Sequence, residues 1–331
     1  MSRVLLTVDD LQVEFATRDG QIRPLDGVSL EIASGETVAL LGESGSGKSV
    51  TAQAIMGLLP QPAGRIVGGR IAFDGHELTA MPLEKVRALC GMRIAMIFQD
   101  PLSSLNPVFR VGDQVAEPLR RRLGLRRREA MARALELLER VGIPDAEHRM
   151  QHYPHQFSGG QRQRIMIAMA LTLDPDLLIA DEPTTALDVT VQAQIMNLLR
   201  DLQQERGMAI MLITHDLGVV ADVASRAVVL YAGRVAEQGR IRDVYDHSAH
   251  PYTEGLLASI PQADQGRGRL TPITGAPPNP LAFPPGCRFH PRCPYAQDRC
   301  VEELPQLRRP EGWAEDQAAA CHFTEEVLGH G

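Results

Sequence analysis

The segment Gly42-Glu43-Ser44-Gly45-Ser46-Gly47-Lys48-Ser49 places three glycines, a lysine and three hydroxyls within eight residues. Glycines let the backbone turn so that successive N–H groups face one anion. Lys48 is spaced to reach the β- and γ-phosphates of a nucleotide, and Ser49 to ligate the Mg²⁺ that travels with it. Asp181 and Glu182 are adjacent carboxylates. Asp181 suits Mg²⁺, directly or through water, and Glu182 suits polarisation of an attacking water; a plain cap on the turn at Pro183 is the competing reading of Glu182. Phe157-Ser158-Gly159-Gly160-Gln161 is a second turn rich in N–H donors. One nucleotide site has no use for it, but it makes sense as a cap supplied to a nucleotide held by another copy. Thr214-His215-Asp216 completes the series.

These groups need elements that aim them. Thr37 to Leu41 is a short apolar run, as a strand buried on both faces requires. Ser49 to Leu59 reads as a helix stopping before Pro60, its positive N-terminal dipole end directed at phosphate. Leu177 to Ala180 and Ala209 to Thr214 read as further buried strands, and open α/β sheets bind ligands at the C-terminal ends of such strands. Ile94 to Phe98 is another, ending at Gln99. Val4 to Val8, Leu11 to Phe15 and Val28 to Ile32 read as antiparallel strands. Asp100 to Phe157 reads as mostly helical, with a long helix from Gln161 onward. Met131, Ala134, Leu135, Leu138 and Val141 form a core stripe at helical spacing, and Val191, Ile195, Leu198, Leu199 and Leu202 form another. Val228 to Glu237 reads as a hairpin about Ala232-Gly233.

Composition bounds the class. The 331 residues suffice for two domains, 44% hydrophobic content is that of a globular protein, and aromatics are scarce at 4%. With 34 basic and 41 acidic residues the net charge is −7, which disfavours general nucleic-acid binding. No run of about 18 apolar residues exists to span a membrane, and Met1 to Thr7 lacks the apolar stretch of a secretory signal. Arg120-Arg121-Arg122 and Arg126-Arg127-Arg128 form a local basic cluster, read as a solvated helix face near anionic lipid or a partner.

Taken together the motifs resemble the ATP-binding subunit of an ABC transporter. The resemblance implies an α/β P-loop nucleotide-binding domain over residues 1–245, with a RecA-like core, an antiparallel β subdomain and a helical subdomain at about 100–160. It implies roles as well. His215 resembles the switch histidine that contacts the γ-phosphate, Gln99 the hinge glutamine that senses Mg²⁺ and the membrane subunit, and Thr185-Ala186-Leu187-Asp188 the loop crossing between protomers. Phe15 is the candidate for stacking adenine. Ile97-Phe98-Gln99-Asp100-Pro101-Leu102-Ser103-Ser104-Leu105-Asn106-Pro107, Tyr153-Pro154-His155-Gln156-Phe157-Ser158-Gly159-Gly160-Gln161 and His250-Pro251-Tyr252-Thr253 are similar to segments of dipeptide and oligopeptide importers. Most such relatives have Leu at the position of Phe157. Nickel and oligosaccharide importers share much of the pattern. Implied partners are a second ABC ATPase subunit (a paralogue or another copy), two integral membrane permease subunits and, indirectly, an external solute-binding protein, with no nucleic acid. The implied location is peripheral, on the cytoplasmic face of the plasma membrane. A soluble ABC ATPase acting on DNA or ribosomes is the alternative; such proteins fuse two ATPase cores or insert long coiled coils, and this chain does neither.

Residues 246–331 change texture. Pro272 to Gly286 holds six prolines in fifteen residues, a composition that favours extended backbone. It is expected to uncouple the remaining C-terminal residues from the nucleotide site. Cys287, Cys293, Cys300 and Cys321 then appear with C-x5-C-x6-C-x20-C spacing. Zinc prefers closer pairs, and disulfides are disfavoured in cytoplasm, so zinc, free thiols and a cluster all stay open on spacing alone. The resemblance implies a four-iron–four-sulfur cluster on these four thiolates. Cys90 lies apart and reads as a buried small residue.

Overall fold

The structure is a computed structural model that describes residues 3–100, 104–185, 187–259 and 273–328. Pro101, Leu102 and Ser103 of the glutamine segment, Ala186 of the crossing loop and Pro272 of the proline-rich stretch lie outside the described residues. The chain forms two compact units, Met1–Met81 with Ile213–Gly331, and Pro82–Leu212.

In the first unit, Val4–Thr17 and Gly20–Ala33 pair as one long antiparallel hairpin. The two expected strands at Val4–Val8 and Leu11–Phe15 are therefore a single strand, with register shifts near Asp9–Leu11 and Asp10 at φ 47°. Residues 16–23, which break the spacing around Phe15, are the hairpin's tip and flanks. Gly64–Phe73 pairs on the other side of Val4–Thr17, and His76–Glu77 pairs with Gly64–Phe73, giving a four-stranded antiparallel sheet. Alternation puts Leu6, Val8, Leu11, Val13, Val28 and Phe73 in its core.

The same unit holds Thr37–Leu41, buried at every position and parallel to Arg226–Tyr231. Arg226–Tyr231 turns through Ala232-Gly233 into Arg234–Arg240, as read from the sequence. The far edge of Arg234–Arg240 is covered by Ala318–Ala319, pairing Glu237 with Ala319. The C-terminal tail thus adds a strand to this sheet, which no sequence pattern announces.

The second unit pairs Ile94–Ile97 with Leu177–Asp181 in parallel and holds residues 209–212 of the strand Ala209–Thr214; its other elements among the described residues are helical. Its larger helices are Val111–Arg122, Arg127–Arg140, Gly159–Ala170 and Val189–Arg206. Ala134, Leu137, Leu138 and Val141 are buried, so the core stripe is centred one residue from the expected one, with Met131 and Leu135 at its margin. All six arginines of the basic cluster are exposed, at the end of one helix and the start of the next.

Candidate functional site

The phosphate loop succeeds a fully buried strand and leads into the helix Lys48–Ile55, shorter than expected. Its conformation demands glycine in two ways. Gly42 has φ 143°, and a Cβ there would lie 2.3 Å from the Leu230 carbonyl oxygen. Gly47, at φ 110°, would place a Cβ 2.6 Å from Leu25 Cδ2. Gly45 faces open space and is constrained only by its φ of 80°. Lys48 is buried and donates to the carbonyls of Gly42 (2.7 Å) and Glu43 (2.9 Å), so its ammonium sits over the loop it would serve. The helix has no side-chain cap at Gly47, and Ser46 Oγ is buried without a hydrogen-bond partner. Uncapped N–H groups and an orphan hydroxyl on one turn fit a phosphate.

The loop is held from elsewhere in its unit. Gly233 N–H donates to the Ser46 carbonyl at 2.9 Å. The Glu43 N–H donates to Tyr252 Oη at 2.8 Å. The Glu43 carboxylate takes both Arg292 Nη atoms, at 2.6 and 2.9 Å, while Arg292 also donates to Tyr231 Oη (3.3 Å) and the Thr274 carbonyl (3.1 Å). Arg292 immediately precedes Cys293. The cysteine-bearing segment therefore touches the phosphate loop, and the expected uncoupling by the proline-rich stretch is corrected. Sequence reading missed Tyr252 and Arg292 because neither lies near residue 43 in the chain. The available signal was the arginines directly flanking two cysteines, Cys287-Arg288 and Arg292-Cys293.

His215, also in this unit, is exposed just beyond the strand Ala209–Thr214. Phe15 is half-buried in the long hairpin, its ring edge against Gly64, where a Cβ would lie 2.6 Å from Phe15 Cε1.

In the second unit Asp181 ends a fully buried strand and is itself buried. Glu182 comes next with φ 46°, a left-handed backbone that a non-glycine residue adopts at a cost of about 1–3 kcal/mol and that clusters at functional sites. Its Oε2 accepts from Gln99 Nε2 and from Thr185 Oγ1, each at 2.8 Å. The structure thus brings Gln99 and Glu182 together and adds Thr185, which sequence reading placed in the crossing loop without a role.

Ser158 caps the helix Gly159–Ala170. Its Oγ accepts from Gln161 N–H at 3.3 Å, and Gln161 Oε1 accepts from Ser158 N–H at 3.2 Å. This reciprocal box also takes a bond from Arg149 at 2.9 Å. Gly160 is needed for packing, since a Cβ would meet Val191 Cγ1 at 2.7 Å, whereas at Gly159 the nearest atom among the described residues is Leu187 Cδ2 at 3.6 Å. Ser158 and Gly159 are exposed. Asp188 caps Val189–Arg206, accepting from Val191 N–H at 2.9 Å.

Cys287, Cys293, Cys300 and Cys321 line one small cavity together with His290 and Phe323. Burial pushes Cys287 up to about 11 and Cys293 up to about 12, with neighbouring cysteines adding to both. Among the described residues no group of three or more His, Cys, Asp or Glu side chains is gathered closely enough for a metal ion. Cys90 is buried in Leu83–Cys90, apart from the group.

A family model for the ABC transporter matches residues 25–185, and one for the oligopeptide/dipeptide transporter C-terminal region matches residues 236–300. The chain belongs to the family of ABC transporter ATP-binding proteins. Within it, the chain falls among those named for peptide transport. It is 51% identical over 327 residues to the oligopeptide transport ATP-binding protein OppD of Salmonella typhimurium, covering 99% of this chain and 96% of that one. It is 48% identical over 321 residues to the dipeptide transport ATP-binding protein DppD of Bacillus subtilis, covering 95% and 96%. The dimeric post-hydrolysis structure of the ATP-binding cassette MJ0796 bound to ADP and Pi matches with a TM-score of 0.64 at 30% identity, covering 72% of this chain and 99% of that one. No helix among the described residues is long and apolar enough to cross a membrane.

Proposed function

We propose that the chain is the ATP-hydrolysing subunit that powers uptake of dipeptides and oligopeptides through an ABC importer. The observation that carries the chemistry is Glu182, at the end of a buried strand in a strained backbone, its carboxylate aimed by Gln99 and Thr185. ATP would lie with its phosphates on the N–H groups of residues 42–49 and on Lys48, and its adenine on Phe15. Mg²⁺ would be held by Ser49, Gln99 and Asp181, and would neutralise charge developing on the phosphates. Glu182 would polarise the attacking water, with His215 ordering it against the γ-phosphate. Hydrolysis then needs the cap from a second ATPase subunit. Gly159 supports this reading, because nothing among the described residues crowds it, so its lack of a side chain suits something outside. ATP closes the pair and hydrolysis reopens it, and that cycle drives the membrane subunits.

Residues 1–245 would form the nucleotide-binding domain and 246–331 an extension whose four cysteines hold a four-iron–four-sulfur cluster. The shared cavity supports that assignment. The exposed Phe98, Val108 and Phe109, close to Gln99 in sequence, offer apolar surface for the two permease subunits. Peptide would be selected by those subunits and an external binding protein, with this chain peripheral on the cytoplasmic face. The test is ATP hydrolysis by the assembled transporter in vesicles. Stimulation by a peptide-loaded binding protein, and its loss in Glu182→Gln, is the expected result. Hydrolysis indifferent to peptide but stimulated by nickel would transfer the role to a metal importer, and failure to copurify with membrane subunits would overturn it.

A further inference from the structure

The phosphate loop has a partner that its own motif does not contain. Glu43 is clasped twice, at its backbone N–H by Tyr252 Oη and at its carboxylate by the fork of Arg292. The Arg292 side chain is 4% exposed and the Glu43 side chain 27%. Two parallel N–H···O bonds fix the plane of the carboxylate as well as its position. The guanidinium is held from behind by the Thr274 carbonyl and Tyr231 Oη, so it cannot swing away cheaply. Tyr252 is fully buried, its ring 4.5 Å from Tyr231 and 5.4 Å from Phe289. In a chain poor in aromatics, three of them meet at this one seam. His250, also buried, accepts from Tyr252 N–H at 3.0 Å and fixes where that ring starts.

Glu43 is one residue from Gly42, and its carbonyl accepts from both Lys48 Nζ and Ser46 N–H. Any rotation of the Glu43 peptide therefore moves the lysine and the orphan Ser46 hydroxyl together. We infer that Arg292 and Tyr252 are positioning residues for the phosphate loop: by clamping Glu43 they hold the N–H groups and Lys48 in the geometry that receives ATP phosphates, so the C-terminal extension sets nucleotide affinity. The inference rests on that loop being the ATP site.

The experiment uses the purified full-length chain and reads the dissociation constant of a non-hydrolysable ATP analogue with Mg²⁺, beside a thermal melt for each variant. Arg292→Gln and Glu43→Gln should each weaken binding about tenfold, the scale of one lost charge-assisted contact. The double variant should be no weaker than either single one, because both remove the same contact. Arg292→Lys, which keeps charge but loses the fork, should recover part of the affinity. Tyr252→Phe removes one oxygen from an otherwise unchanged ring and should weaken binding about fivefold with the melt unchanged. In the assembled transporter the same variants should raise KM for ATP and leave kcat nearly as it was, which a general loss of folded protein would not do. Lys48→Ala is the control for the ATP reading itself. If Lys48→Ala weakens binding while Arg292→Lys and Tyr252→Phe bind as the parent does, the clamp is overturned and the ATP site stands. If Lys48→Ala also binds as the parent does, both fall. Should Arg292→Gln fail to fold, Tyr252→Phe and Arg292→Lys decide alone. Additive losses in the double variant would overturn the claim that Arg292 acts through Glu43.

Discussion

The turn at Gly42–Ser49 is buried at Gly42, Ser46, Gly47 and Lys48 and held from a distance, whereas the turn at Ser158–Gln161 has no buried residue and holds itself. Both open a helix with glycine-rich backbone. In the first, glycine is required because neighbouring backbone stands 2.3 Å from where a Cβ would be, and no side chain caps the helix. In the second, a capping box closes the helix from within four residues, and among the described residues a Cβ at Gly159 would meet nothing closer than 3.6 Å. A binding surface that receives its ligand within one chain is shaped by the chain's own packing. A surface offered to another subunit has to be stable before the partner arrives, and local capping supplies that.

The largest expected effect tests the chemistry that both turns would serve. Glu182→Gln should lower turnover of the assembled transporter by about 10²-fold or more while leaving nucleotide binding intact, since it removes a general base and no phosphate contact. Turnover at the parent rate would mean that another group polarises the water. Next comes the contrast itself. Gly42→Ala should cost at least about 2 kcal/mol in a denaturant titration and abolish ATP binding, because its Cβ has nowhere to go. Gly159→Asp should stay within about 0.5 kcal/mol of the parent and bind ATP normally as an isolated chain, yet be inactive once assembled. Equal destabilisation by the two would erase the distinction.

Glu237 tests the far end of the clamp. It is fully buried and accepts from the N–H groups of Ala249 and His250 and from Gln317, anchoring the segment that carries Tyr252. Burial raises its carboxyl to about 7. The folded state then holds a proton that the unfolded chain releases near 4.5. The stabilisation from this group is complete below that value and is lost as pH rises through about 7. Melting temperatures from pH 5 to 8 should therefore fall more steeply in the parent than in Glu237→Gln, and parallel profiles would remove Glu237 as the source. The smallest effect is Ser158→Ala, which loses an N-cap. It should cost about 1 kcal/mol, or about 2–4 °C in the melt for a unit of this size.

Much of this was legible in local sequence. Thr37–Leu41, Leu177–Asp181 and Ala209–Thr214 are short and apolar apart from Thr37, Asp181 and Thr214 at their ends, and each is a fully buried strand. The Ser158 box arises from Ser and Gln at the spacing that lets each bond the other's backbone. The helix stripe at Ala134–Val141 was off by one residue because Leu135 and Leu137 are equally apolar, and only the neighbouring elements decide between them. What stayed hidden depends on partners far apart in the chain. Nothing beside Glu43 in the chain announces Tyr252 or Arg292, and Ala318–Ala319 is too short and too bland to announce a strand. The positive φ of Glu182 is likewise invisible in its side chain.

The clamp on Glu43 also orders events in time. Tyr252 and Arg292 come 209 and 249 residues later in the chain. A ribosome adding about 5–20 residues per second releases the phosphate loop on the order of ten seconds or more before its last brace exists. Contacts of such long range are slow to close. A message cut short just before Arg292 would encode every nucleotide motif of this protein and still yield a loop whose Glu43 carboxylate lacks its guanidinium brace.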